Sequence, residues 1–153
     1  MIQEKVRCKK KEENKVLRII LLVVFLFPYF DVFSKGDLAI RSKKIELQLG
    51  SDKSDYDMSQ SIFKLETGKA YRLEISSMGF KEYEFEAEDF FNNIWIRKIE
   101  IDGIEISTPF IREIEFEREG EIEINFVPIR TGEFIFEIEG LQHKGMTGVF
   151  LIE

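Results

Sequence analysis

The sequence predicts an all-β domain, a sandwich of short strands behind an apolar N-terminal segment, and three observations predict it. Apolar and polar residues alternate in run after run, as half-buried strands require. Turn residues separate these runs at intervals of about 8–12 residues, the rhythm of sandwiches and barrels. Past residue 34, only Ala87–Asn93 has the look of a helical turn.

The elements follow in chain order. Residues 1–18 carry Lys5, Arg7, Lys9, Lys10, Lys11, Lys15 and Arg18, and an uncharged apolar run of twelve residues follows from Ile19 to Phe30 before Asp31 ends it. A basic stretch ahead of a short apolar run is the build of a secretory signal, and the basic end stays cytoplasmic. Twelve residues fall short of the roughly 20 of a full span. Val16, Leu17, Val32 and Phe33 extend the run towards a tilted anchor, while Ser34 and Gly36 offer small residues for cleavage. Residues 1–34 therefore read as a signal peptide or a membrane anchor, forming an apolar helix. A buried core helix is the weaker alternative.

Residues 35–60 are polar and irregular, a linker plus one early strand, Ile45–Leu49. The main domain then spans 61–153. Ile62–Leu65 and Tyr71–Ile75 flank the turn Thr67-Gly68-Lys69. Ile99–Ile101 and Ile104–Ile106 flank Asp102-Gly103, the strongest short hairpin signal in the chain. Ile114–Phe116 and Ile122–Phe126 lie either side of Glu119-Gly120, Phe134–Ile138 follows Thr131-Gly132, and Val149–Ile152 closes the chain. About seven strands are expected, and no repeat of 20–50 residues is visible.

Composition excludes several function classes. With 153 residues, 44% hydrophobic and 33% charged, the chain has the apolar bulk for one core and is not a disordered polymer. Residues 35–153 hold 15 basic and 25 acidic side chains, a formal charge of −10. That sign argues against a nucleic-acid partner, which needs a basic face. The single cysteine, Cys8, precedes the apolar run, so the rest of the chain has neither a disulfide nor a thiolate ligand to offer.

Glutamate recurs at every second position as Glu113, Glu115 and Glu117, then Glu119, Glu121 and Glu123. An acidic docking face is one reading; the solvated side of a sheet is the stronger one. Hydrolase and nucleotide signatures are missing. One histidine, His143, would have to serve any Ser-His-Asp arrangement, no nucleophile elbow is present, and no glycine-rich loop cradles phosphate. These absences lead to the expectation that the protein is not an enzyme. Asp55, Asp57, Ser59 and Glu66 fall at positions 1, 3, 5 and 12 of a calcium loop, but Gln60 stands where the sharp-turn glycine belongs, so calcium binding is a distant alternative.

The segment Gly132–Gly148, with His143 followed by Gly145-Met146, resembles the closing strand pair of cupredoxins. It is most similar to the exported cupredoxin-like domains of the EfeO iron-uptake family. Phe63–Leu73 resembles the early hairpin, Tyr83-Glu84-Phe85 with Asp89-Phe90-Phe91 the segment around the first histidine, and Phe126-Val127-Pro128 also fits. The resemblance covers about residues 60–153 and implies a Greek-key β-sandwich. It also implies a ligand comparison. A blue-copper site uses two imidazoles, a thiolate and a weak axial thioether. His143 matches the second imidazole and Met146 the thioether, with a loop shorter than usual. Ile138 stands at the cysteine position and Tyr83 near the first histidine. The expectation is an exported cupredoxin-like binding or assembly module without a type 1 copper centre, contacting the membrane through an uncleaved helix and an unknown protein partner. The alternative is a weak copper carrier using His143 and Met146, aided by a neighbour such as Glu139. No cofactor is certain, and copper is the candidate.

Overall fold

The computed structural model describes residues 41–79 and 81–153. The chain divides into two compact units, Met1–Ser34 and Lys35–Glu153, and the described residues belong to the second. The apolar segment, its reading as an N-terminal helix that is signal or anchor, and Cys8 lie outside the described residues. Among the described residues no helix is long and apolar enough to cross a membrane.

The described residues fold as two five-stranded sheets. The strands are β1 (Lys43–Leu49), β2 (Ile62–Leu65), β3 (Tyr71–Ser77), β4 (Tyr83–Glu86), β5 (Ile94–Ile101), β6 (Ile104–Ile106), β7 (Glu113–Phe116), β8 (Gly120–Pro128), β9 (Gly132–Ile138) and β10 (Thr147–Ile152). A one-turn helix, α1 (Glu88–Phe91), and a 3₁₀ turn, Gln142–Lys144, complete the set. The first sheet runs β1-β3-β8-β5-β6 and the second β2-β10-β9-β4-β7. The early strand is thus part of the sandwich, lying parallel to β3, and β2 lies parallel to β10. Ten strands replace the expected seven.

Period-two burial drives this architecture. Tyr71, Leu73 and Ile75 of β3 point inward, as do Phe134, Phe136 and Ile138 of β9, and polar neighbours point out. The core is a lattice of aromatic rings. Phe90 of α1 stacks on Phe150 at 3.9 Å between centroids, and Phe150 contacts Phe63 at 4.9 Å and Phe136 at 5.1 Å. Phe85 stacks on Phe136 at 5.3 Å. The short helix thereby serves the core: it carries the chain from β4 in one sheet to β5 in the other and lowers Phe90 and Phe91 between them.

Two departures from local reading have plain causes. β5 slips register between Ile96 and Lys98, so its inward residues are Ile94, Ile96 and then Ile99. That bulge interrupts the alternation which marks a strand. The Glu119-Gly120 turn does not close a hairpin, because β7 pairs with β4 in the second sheet while β8 pairs with β3 and β5 in the first. The Asp102-Gly103 turn does close one: both residues have positive φ, 49° and 77°, and join β5 to β6.

Candidate functional site

The resemblance directs attention to one end of the sandwich, where Tyr83 at the start of β4, Ile138 at the end of β9 and the 139–146 loop meet. The main chain ties them together. The Glu139 N–H donates to the Glu84 carbonyl at 2.9 Å, and the Ile138 N–H donates to the Met146 carbonyl at 3.0 Å. Ile138 is completely buried and offers no donor atom. Tyr83 is also completely buried, and its hydroxyl donates to the Asp55 carbonyl at 2.9 Å. Burial, then the charges of Asp55 and Tyr56, push the Tyr83 phenol upward, so it stays neutral. Gly50, at φ 76°, leaves the room this hydroxyl occupies, since a Cβ there would lie 2.5 Å from it.

Residues 50–61 form the cap over this end. Gly50 N–H donates to the Asp57 carbonyl at 2.9 Å, and the Ser51 hydroxyl donates to the Asp57 carboxylate at 2.5 Å. The ring of Tyr56 is flanked by the ammonium groups of Lys81 and Lys144, 5.4 Å and 5.3 Å from its centroid. The Lys144 contact joins the cap to the 139–146 loop.

His143 and Met146 leave the 3₁₀ turn in opposite senses. His143 is exposed, whereas Met146 is fully buried in the hydrophobic core, with Gly145 at φ 91° between them. The donor set of a blue-copper centre does not fit these residues. At the positions that the resemblance assigns to the thiolate and the first imidazole stand an aliphatic Ile138 and a hydrogen-bonded Tyr83, and His143 is the chain's only imidazole. The calcium-loop residues are engaged elsewhere: Asp57 takes the Ser51 hydroxyl, Glu66 pairs with Lys69 at 3.0 Å, and they form no convergent carboxylate group among the described residues.

The outer surfaces carry the charge. Strand register lines up Glu46, Glu74, Glu123, Glu100 and Glu105 in one row across all five strands of the first sheet. The next row holds Lys44, Arg72, Asn125 and Lys98. Lys44 bridges Glu46 and, at 2.8 Å, Glu74; Arg72 reaches Glu123 at 3.6 Å; Lys98 reaches Glu100 at 2.9 Å and Glu105 at 3.4 Å. Its hydrogen bonds to Glu46 and Glu74 lift Lys44 to about 12.

The second sheet has a different acid group. Glu84, Glu86 and Glu139 bring carboxylate oxygens within 4.8 Å of one another. A hydrogen bond with Glu139, then partial burial, then the charges of Glu139, Glu113 and Glu115 raise Glu84 to about 7. Glu86 is raised as well, by burial first and then by Glu139, Glu137 and Glu113, with Arg112 opposing. The glutamate run of the sequence is therefore not one face: Glu113 and Glu115 belong to the second sheet, Glu121 and Glu123 to the first. An all-oxygen carboxylate group suits hard cations and not copper(I).

Sequence reasoning missed Tyr83 as the plug of this end and the Tyr56 cap. The Tyr-Glu-Phe-Glu alternation signals β4, but nothing local places Asp55 above it.

This two-sheet arrangement, with β1 and β2 each running parallel to a neighbour, is a cupredoxin-like fold. No family model and no curated protein matches the sequence. Solved structures do match the fold. A laccase from Pediococcus acidilactici superposes with a TM-score of 0.53 at 13% identity, over 74% of this chain and 27% of that one. The McoA multicopper oxidase from the hyperthermophile Aquifex aeolicus gives 0.52 at 8% identity, over 73% and 29%. Copper nitrite reductase from Nitrosomonas europaea gives 0.51 at 9% identity, over 74% and 49%. The chain thus spans between about a quarter and half of these proteins' lengths. The expectation that the protein is not an enzyme is corrected by this comparison, because the structures sharing its fold are oxidases and a reductase.

Proposed function

We propose that this chain is an exported cupredoxin-like domain, held at the membrane by residues 1–34, that acts in metal handling or respiration by docking to a protein partner, without a type 1 copper centre of its own. The observation that carries this reading is the buried Ile138 at the end of β9, sealed beside a hydrogen-bonded Tyr83. A thiolate gives a blue site its strong copper bond, and no rearrangement of the neighbouring side chains replaces it. The similarity of Gly132–Gly148 to the EfeO-type domains favours a setting outside the cytoplasm.

Copper titration of the purified full-length chain tests the proposal. The expected result is no intense visible absorption and no tight site. An intensely coloured copper form would overturn it. Saturable copper binding abolished in His143→Ala would instead establish the carrier reading built on His143 and Met146. Fractionation of cells tests the location: recovery in the soluble cytoplasm would remove the membrane arm of the proposal.

A further inference from the structure

We propose that the outer face of β2, β10 and β9 is a homodimer interface, with a second copy of this chain as its occupant. The pairing registers place Ile62, Val149 and Ile135 side by side in one row across these three strands. Ile62 is 55% exposed and Ile135 65%, so the row is an apolar stripe on the solvent side of the sheet. The next row is Lys64, Leu151 and Glu133. It carries a cation at one end, an anion at the other, and an apolar residue between.

That order of charges selects the partner. Two sheets packed face to face are related by a two-fold axis lying between them, and an axis running along β10 places β2 of one copy over β9 of the other. Residues in one row then meet residues of the same row. Val149 faces Val149, Leu151 faces Leu151, and Ile62 meets Ile135 twice. Lys64 meets Glu133 twice, so the face is complementary to itself in charge as well as in polarity. Among the described residues neither Lys64 nor Glu133 has an ion pair within the chain. The acid group of Glu84, Glu86 and Glu139 lies beyond β9, on or beside β4, outside the three-strand footprint. A row with like charges at both ends would repel its own copy; this one attracts it.

Three strands about 4.8 Å apart make a face of only a few hundred Å² per copy, below the roughly 800 Å² of stable complexes. The dimer is accordingly weak, with a dissociation constant of about micromolar or higher. The inference is independent of whether copper binds, since none of its residues lies at the loop end of the sandwich.

Sedimentation velocity on the full-length chain in detergent, over a wide concentration series, tests it. The expected result is a monomer–dimer equilibrium. Ile135→Lys, at an exposed position that leaves folding intact by circular dichroism, weakens it by about tenfold or more. Lys64→Glu and Glu133→Lys each weaken it, because each sets like charges opposite one another, and the double variant K64E/E133K recovers the affinity. A monomer at every concentration overturns the proposal and leaves the face to an unlike partner. A dimer indifferent to Ile135→Lys overturns it in favour of association through residues 1–34. A double variant no better than the single ones rejects the geometry.

Discussion

The two outer faces of this sandwich are built from similar strands yet solve the problem of surface charge differently. On the first sheet a row of five glutamates lies beside a row containing Lys44, Arg72 and Lys98, and ion pairs knit the rows together. On the second sheet one part is an apolar stripe with unpaired ends, and the other gathers Glu84, Glu86, Glu113, Glu115 and Glu139 with Arg112 as the cation acting on Glu86. The first face pairs all five glutamates of that row within the chain, although Glu74, Glu121 and Glu123 also bring carboxylate oxygens within 4.8 Å of one another. The second has the Arg112–Glu113 pair and leaves Glu84 with a raised pKa. The difference teaches that alternation of apolar and polar residues specifies which side is wet, and says little about what that side can engage.

Three changes probe this contrast. The largest effect is expected inside the second sheet, at Gly148→Ala. A Cβ at Gly148 would collide with the Phe136 ring and the Ser61 carbonyl, and relief requires shifting a core aromatic or a strand, at a cost of about 3 kcal/mol. Urea denaturation should show it, and an unchanged midpoint would mean that β10 is not packed as described. A comparable loss of stability from disturbing the first face would erase the contrast.

A smaller effect is expected from pH. Glu84 binds its proton more tightly in the folded chain than in the unfolded one, its pKa being raised from 4.5 to about 7. The folded state then holds more protons across that window, so the stability that Glu84 contributes is present below about 4.5 and is lost as pH rises through about 7. In Glu84→Gln the fall in thermal midpoint between pH 5 and pH 8 should flatten. A variant with the wild-type slope would place the titration elsewhere.

The smallest effect is expected on the first face. Arg72→Ala removes one exposed ion pair to Glu123, 3.6 Å long, and should cost about 0.5 kcal/mol, declining with salt. A loss several times larger would mean that the glutamate row is held under strain that the cations relieve.

Much of the fold was legible in the sequence because period-two burial is a local property. β1, β2, β3, β9 and β10 are read correctly from Ile45–Leu49, Ile62–Leu65, Tyr71–Ile75, Phe134–Ile138 and Val149–Ile152. The first half of β5 escaped because the bulge at Arg97 breaks the period just where Ile94-Trp95-Ile96 would have announced it. β4 was not singled out as a strand, although Tyr83-Glu84-Phe85-Glu86 alternates as β2 does. Pairing was legible only at Asp102-Gly103: Glu119-Gly120 also looks like a hairpin turn, and only tertiary packing sends β7 and β8 to opposite sheets. At the candidate site, the resemblance singled out Ile138, Tyr83, His143 and Met146. The outward turn of His143 and the inward turn of Met146 were not, because a 3₁₀ turn and a left-handed Gly145 have no periodic signature. The five-glutamate row was invisible for the same reason as the pairing. Its members come from five separate segments.

The position of β10 has a consequence for how the domain comes into being. Among the described residues β2 finds its sheet neighbour only in β10, and Thr67, just past β2, is clasped to the Glu153 carbonyl 86 residues away. While the chain is being synthesised the second layer has no way to zip shut until Ile152 has left the ribosome. Such distant closure makes folding slow and leaves sticky strands bare meanwhile, so a chaperone or a translocation channel that keeps the nascent chain extended would suit this topology better than piecemeal folding.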